Sequence, residues 1–133
     1  MPPIESEGAS TLGIVASEAA YVHGGPWLEE VLAYLDVNRR DLVDLLAKHL
    51  PGAIYKLPDA TYLAWIDCRP LGLAGDPSQF FLDEARVATS PGPAFGPGGS
   101  GHIRFNFATS TGRMRSMLQA MGVAAARFGS QGG

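Results

Sequence analysis

The sequence predicts an α/β (α+β) domain: a small mixed or antiparallel sheet of about four strands, covered by helices and preceded by one long helix. Three observations predict it. The stretch from Pro26 to Leu50 keeps a helical apolar period without a break. Several short runs rich in aromatic and β-branched residues alternate with period two instead. Helical and strand-like segments interleave along the chain, as they do where a sheet is layered with helices.

The composition bounds the rest. A chain of 133 residues, 46% hydrophobic and 17% charged, supports one ordinary globular core. A net charge of −3, with its arginines scattered rather than in a basic run, leaves no electrostatic footprint for nucleic acid or an anionic membrane surface. No apolar stretch approaches the ~20 residues of a membrane-spanning helix. Cys68 is the single cysteine, which excludes an internal disulfide and a multi-cysteine zinc site. Within the apolar run Tyr62 to Cys68 it reads as a buried, inert thiol. The N-terminal residues lack a positively charged region ahead of an apolar segment, so no secretory signal is read and the cytoplasm is the expected location.

Residues 1–9 read as a disordered leader, or as the arbitrary start of a piece of something longer. Residues 10–128 form the domain, and residues 129–133 a flexible tail. Ser10 or Thr11 caps a short helix through about Val22, with Leu12, Val15, Ala16, Ala19 and Ala20 as its buried face. His23-Gly24-Gly25 breaks it.

The long helix follows. Pro26 suits a first helical turn, where its missing N–H costs nothing. Glu29 and Glu30 lie toward the positive end of the dipole, Lys48 and His49 toward the negative end. Trp27, Val31, Leu35, Leu42 and Leu46 share one face, widened by Leu28, Leu32 and Leu45. Asp36–Arg40 and Asp44–Lys48 are spaced for ion pairs on the wet side. At roughly 1.5 Å per residue this helix is about 37 Å long, enough to brace two domains.

Beyond Pro51-Gly52 the period shortens. Ala53 to Leu57 and Thr61 to Asp67 predict two strands, antiparallel because the link between them is short. Asp76 or Ser78 caps a helix from Pro77 to about Ala85, and Arg86 to Ser90 predicts another strand. Pro91 to Gly101, dense in Gly and Pro, predicts a flexible surface loop. His102 to Phe107 alternates as a strand, with Ile103, Phe105 and Phe107 on one face and Arg104 and Asn106 on the other. Thr109 or Ser110 caps a last helix whose Met114, Met117, Leu118, Met121, Ala125 and Phe128 stripe reads as core.

Arg104 is the residue singled out for chemistry. Its planar fork suits bidentate capture of a carboxylate, and it sits on a short strand next to a loop. The residues alone also allow the blander reading, in which it projects from the wet face of a half-buried strand and binds nothing specific, and they favour that reading. Asn106 shares that face, either supporting Arg104 or capping the strand end. His23, His49 and His102 lack metal-ligand spacing. Gly96 to Gly101 lacks both the lysine of a P-loop and the spacing of a dinucleotide fingerprint. Asp67-Cys68-Arg69 is expected to form a local ion pair at a strand end.

Several motifs in order resemble a known family. Ala19-Ala20-Tyr21-Val22-His23-Gly24-Gly25-Pro26-Trp27-Leu28, then Leu32-Ala33-Tyr34-Leu35 and Asn38-Arg39, resemble the entry to the small C-terminal domain of fold-type I pyridoxal-phosphate (PLP) enzymes. The nearest branch is the cystathionine β-lyase-like aminotransferases, which cleave carbon–sulfur bonds. The resemblance continues through Pro58 to Arg69, Arg86-Val87-Ala88 and Pro93-Ala94-Phe95-Gly96, and ends in Ile103-Arg104-Phe105-Asn106-Phe107-Ala108-Thr109. It implies that Arg104 grips the α-carboxylate of an amino-acid substrate. It also implies PLP as the cofactor of the parent enzyme, with the Schiff-base lysine, pyridine carboxylate and phosphate-binding groups in a large domain preceding this segment.

Lys48 and Lys56, the only lysines here, match no such motif. The chain alone is therefore expected to be inactive and to bind no PLP, with the large PLP domain as its missing partner. The alternative is a non-catalytic module that binds amino acids or pairs as a homodimer through the long helix's apolar stripe.

Overall fold

The computed structural model describes residues 10–131, so the readings of residues 1–9 and of the last two residues lie outside the described residues. The chain divides into two units, Met1–Tyr34 and Leu35–Gly133. In the first, the Ser10 hydroxyl accepts from the Gly13 N–H at 3.1 Å and caps α1 (Thr11–His23). The Gly24 N–H then donates to the Ala20 carbonyl at 2.8 Å, and a Cβ at position 24 would collide with that same carbonyl. Glycine is required there.

One expectation fails in this unit. Leu12, Val15, Ala16, Ala19 and Ala20 do not form a buried face: α1 has no buried residue, and Leu12 is 83% exposed. The described part of this unit holds only α1 and the opening turns of α2 (Gly25–His49), which is no second layer to cover an apolar stripe.

The second unit carries the sheet. Its strands are β1 (Ile54–Tyr55), β2 (Leu63–Asp67), β3 (Ser90–Pro91) and β4 (His102–Asn106), in spatial order β1-β2-β4-β3 with every pairing antiparallel. Ala64 and Ile66 of β2 and Ile103 and Phe105 of β4 point to one face. There they pack with Leu42 and Leu46 of α2, with Phe81 of α3 (Pro77–Ala85), and with Met114, Leu118 and Met121 of α4 (Thr111–Gln131). The predicted mixed α/β architecture and the methionine stripe as core are thus observed. The opposite face carries Trp65, His102, Arg104 and Asn106.

Local chemistry sets the boundaries. The Asp76 carboxylate accepts from the Ser78 and Gln79 N–H groups at 2.9 and 3.1 Å, and Pro77 fills the first helical position of α3. Arg86 takes a left-handed conformation (φ 57°) to close that helix, while the Val87 N–H donates to Phe81 O at 3.1 Å. A residue spent on a helix cap cannot also start a strand. The expected strand Arg86 to Ser90 is accordingly reduced to Ser90–Pro91, which pairs with β4. Pro91 to Gly101 is likewise not one shapeless loop: it holds two 3₁₀ turns, Gly92–Phe95 and Pro97–Gly99. Ser110 caps α4, its hydroxyl accepting from Arg113 N–H at 3.3 Å, and the helix continues past Gly129 to Gln131. Of the two anticipated ion pairs on α2, Asp36–Arg40 forms at 2.6 Å. Asp44–Lys48 is not among the ion pairs of the described residues, and Asp41 instead meets Arg115 of α4 at 2.7 Å.

Asn38 is fully buried in the middle of α2. Its Nδ2 donates to the carbonyls of Phe107 (3.1 Å) and Thr109 (2.8 Å), and its Oδ1 accepts from the Thr111 hydroxyl at 2.7 Å. One carboxamide therefore joins α2 to the bend between β4 and α4, where the Phe107 carbonyl also accepts from the Thr109 N–H at 2.9 Å. Replacing Asn38 with Ala removes three hydrogen bonds between α2 and the bend and should lower the unfolding free energy by about 3 kcal/mol. Urea titration of both proteins checks this; equal midpoints and slopes would contradict it.

Candidate functional site

The open face of the sheet is assembled by register. Arg104 of β4 stands opposite Trp65 of β2 on one side and Ser90 of β3 on the other. Directly opposed residues in antiparallel strands project from the same face, so Trp65, Arg104 and Ser90 form a row across the sheet. Arg104 is half-buried, and its Nη2 donates to the Ser90 hydroxyl at 3.2 Å. The first 3₁₀ turn brings Phe95 over the row, with the guanidinium carbon 4.3 Å from the ring centroid. Phe95 meets Trp65 edge to face at 5.7 Å, and Trp65 stacks on His102 at 5.4 Å with 16° between planes.

The arginines differ in what they meet. Arg39, Arg40, Arg69 and Arg115 each pair with an aspartate inside the chain. Among the described residues no carboxylate lies within ion-pair distance of Arg104, although its guanidinium is half out of water and flanked by aromatic rings. A fork so placed has donors to spare for an outside anion.

Asn106 shares the face of Arg104, but its Oδ1 accepts from the Ala108 N–H at 2.8 Å where the strand ends. The residue is exposed. Trp65, Ser90 and Phe95 were not singled out by sequence reasoning. Trp65 had a signal: it occupies the face opposite Ala64 and Ile66, where strand alternation calls for a polar side chain. Ser90 and Phe95 reach Arg104 only through tertiary pairing, which no local pattern encodes.

The rim of this face is held by Asp67. Its carboxylate accepts from Nε (2.9 Å), Nη2 (2.6 Å) and the backbone N–H (3.0 Å) of Arg69, the local pair expected from the sequence. The Arg69 hydrogen bonds outweigh burial and pull the Asp67 carboxyl down to about 2. His102 Nε2 lies 3.8 Å from the same carboxylate, and its Nδ1 is 3.0 Å from the Ser100 carbonyl. Next along the chain, burial pushes the Cys68 thiol up to about 12, which leaves it protonated and inert at neutral pH. No group of three or more metal-ligating side chains occurs among the described residues, nor does any helix long and apolar enough to cross a membrane.

Comparison with known proteins places this geometry in context. A protein of Mycobacterium leprae is 45% identical over 96% of this chain and 35% of its own length. Cystathionine beta-lyase PatB of Bacillus subtilis is 35% identical over 84% of this chain and 29% of its own length. The crystal structure of the PLP-bound C–S lyase from Staphylococcus hominis superposes with a TM-score of 0.85 at 35% identity, covering 92% of this chain and 33% of that one. The chain spans about a third of the length of the relatives it matches, and no protein-family model matches it. The mixed α/β fold is that of the small domain of such enzymes.

The residues present do not fit PLP itself. A Schiff-base lysine is activated by desolvation or by a neighbouring cation inside a pocket. Lys48 lies exposed on α2 beside Asp41 and Asp44, and Lys56 lies exposed after β1.

The Asp67 carboxyl makes a pH prediction. Its value in the folded chain lies below the ordinary 3.8, so its stabilisation is complete above that pH and is lost as pH falls through about 2. Asp67→Asn should flatten the pH dependence of the urea midpoint across that window. Identical slopes in the two proteins would count against the Arg69 pairing.

Proposed function

Starting from a chain homologous to cystathionine β-lyases and PLP-dependent C–S lyases over about a third of their length, we propose that it supplies the substrate-carboxylate-binding part of an enzyme of that kind. Arg104 is the anchor for the α-carboxylate of an amino acid. Asn106 has a supporting role confined to its Nδ2 donor. The observation that carries this reading is a half-buried guanidinium, braced by Ser90 and Phe95, with no carboxylate partner among the described residues.

The chain's own contribution is binding and orientation. Two parallel N–H···O bonds from a planar fork fix both the position and the rotation of a carboxylate, and so fix the direction of the Cα substituents. Trp65 and Phe95 narrow the approach and exclude water on the aromatic side, which strengthens those charged hydrogen bonds. PLP, when bound in such an enzyme, supplies the electron sink for chemistry at Cα. In this proposal its lysine and phosphate cradle belong to a large domain outside these residues.

The surface of the first unit supports that division. Leu12, Ile14, Val15, Tyr21 and Val22 of α1 are all exposed, an apolar surface suited to cover by a further domain. A cytoplasmic location belongs to the same proposal.

The test is kinetic. Residues 10–131 would replace the matching third of the Bacillus subtilis relative, and L-cystathionine cleavage would be followed with and without Arg104→Lys. An ammonium cannot reproduce the fork, so kcat/KM should fall about 100-fold while the PLP absorbance stays unchanged. Equal kcat/KM in the two chimeras would overturn the assignment.

A further inference from the structure

The segment that holds Arg104 is built more rigidly than its composition suggests. Residues 89–99 approach β4 from one side and supply both groups that touch the guanidinium, Ser90 at its edge and Phe95 on its face. The segment is pinned at its start, where the buried Ser78 hydroxyl donates to the Thr89 carbonyl at 2.8 Å. It is also pinned across its middle. Gly92 and Gly99 stand backbone to backbone, and a Cβ on either would collide with the other's main chain. Between them the Gly96 N–H donates to Pro93 O at 3.3 Å and the Gly99 N–H to Gly96 O at 3.0 Å, with Gly96 at φ 122° reversing the chain just after Phe95. The close pairing of the two glycines closes the turn that carries Phe95, and the Phe95 ring lies against Arg104 and Trp65.

We infer that Phe95 and Ser90 are positioning residues that set the Arg104 fork before any ligand arrives. The ring covers one face of the guanidinium and the serine takes one Nη2 hydrogen. These contacts remove the rotation about the long side chain that a free arginine keeps, while its other donors stay open. A carboxylate then meets a fork already oriented, so less side-chain entropy is lost on binding. Phe95 is half exposed, so its contribution is to the arginine rather than to the core. The inference deepens the reading of Arg104 as the carboxylate anchor and rests on it for its functional consequence.

The experiment uses the complete 133-residue chain without ligand and follows Arg104 through ¹⁵N relaxation at its Nε–H. The order parameter should approach the value of rigid backbone, about 0.85, and should fall below about 0.6 in Phe95→Leu. Phe95→Tyr keeps the π face and should restore the ordered value. Ser90→Ala should give an intermediate result. Unchanged backbone amide spectra in the sheet verify that each variant is folded. A mobile Arg104 in the parent chain, or an Arg104 equally ordered in Phe95→Leu, would overturn the inference.

A titration with L-alanine against L-alaninamide separates the two levels. A carboxylate-dependent shift at Arg104 Nε alongside a disordered side chain would strike only the positioning role. An ordered side chain blind to the carboxylate would strike the anchor instead.

Discussion

Where β4 leaves the sheet for α4, the buried Asn38 carboxamide donates to the carbonyls of both Phe107 and Thr109. The rest of the second unit depends on this junction. It fixes the end of β4 against the middle of α2, and β4, an inner strand of the sheet like β2, carries Arg104. A buried amide is tolerated because its donors and its acceptor are all engaged, the third contact being the Thr111 hydroxyl. An apolar side chain of the same size would pack as well but would leave the bend unanswered.

From that fixed strand the energetics of the open face follow. Taking a guanidinium half out of water without an acid beside it costs free energy. The cost is offset in part by the Ser90 hydroxyl and the Phe95 ring, neither of which neutralises the charge. Arg69, in the turn just after β2, shows the other solution: Asp67, two residues earlier, accepts from its Nε and Nη2. Arg69 thus has its acid beside it in the chain, and Arg104 has none among the described residues. That difference is what supports the proposal that Arg104 binds an outside anion while Arg69 serves the fold.

Much of this was legible in the residues. The caps at Ser10, Asp76 and Ser110, the unbroken period of α2 and the alternation of β2 and β4 are local signals, and the structure realises each of them. The failures share a physical cause, because each depends on what lies beyond a local window. Arg86 to Ser90 looks extended, yet the end of α3 claims Arg86 as its left-handed cap. The Gly/Pro segment after Ser90 looks flexible, yet its glycines are small so that two turns can touch. The apolar period of α1 is real, but a period says which residues share a face and not whether anything covers it. Likewise the alternation put Arg104 and Asn106 together, while the Asx-type bond from Ala108 N–H to Asn106 engages the latter's oxygen at the strand end.

The central claim is that Arg104 recognises the acid group of an amino acid. Its most direct test is a spectroscopic titration of the Arg104 Nε–H resonance in the complete chain with L-alanine, set against L-alaninamide, which lacks only the carboxylate. The account predicts a saturable shift with the acid, none with the amide, and loss of the response at the neighbouring Trp65 indole in Arg104→Lys. Indistinguishable responses to the two compounds would contradict it.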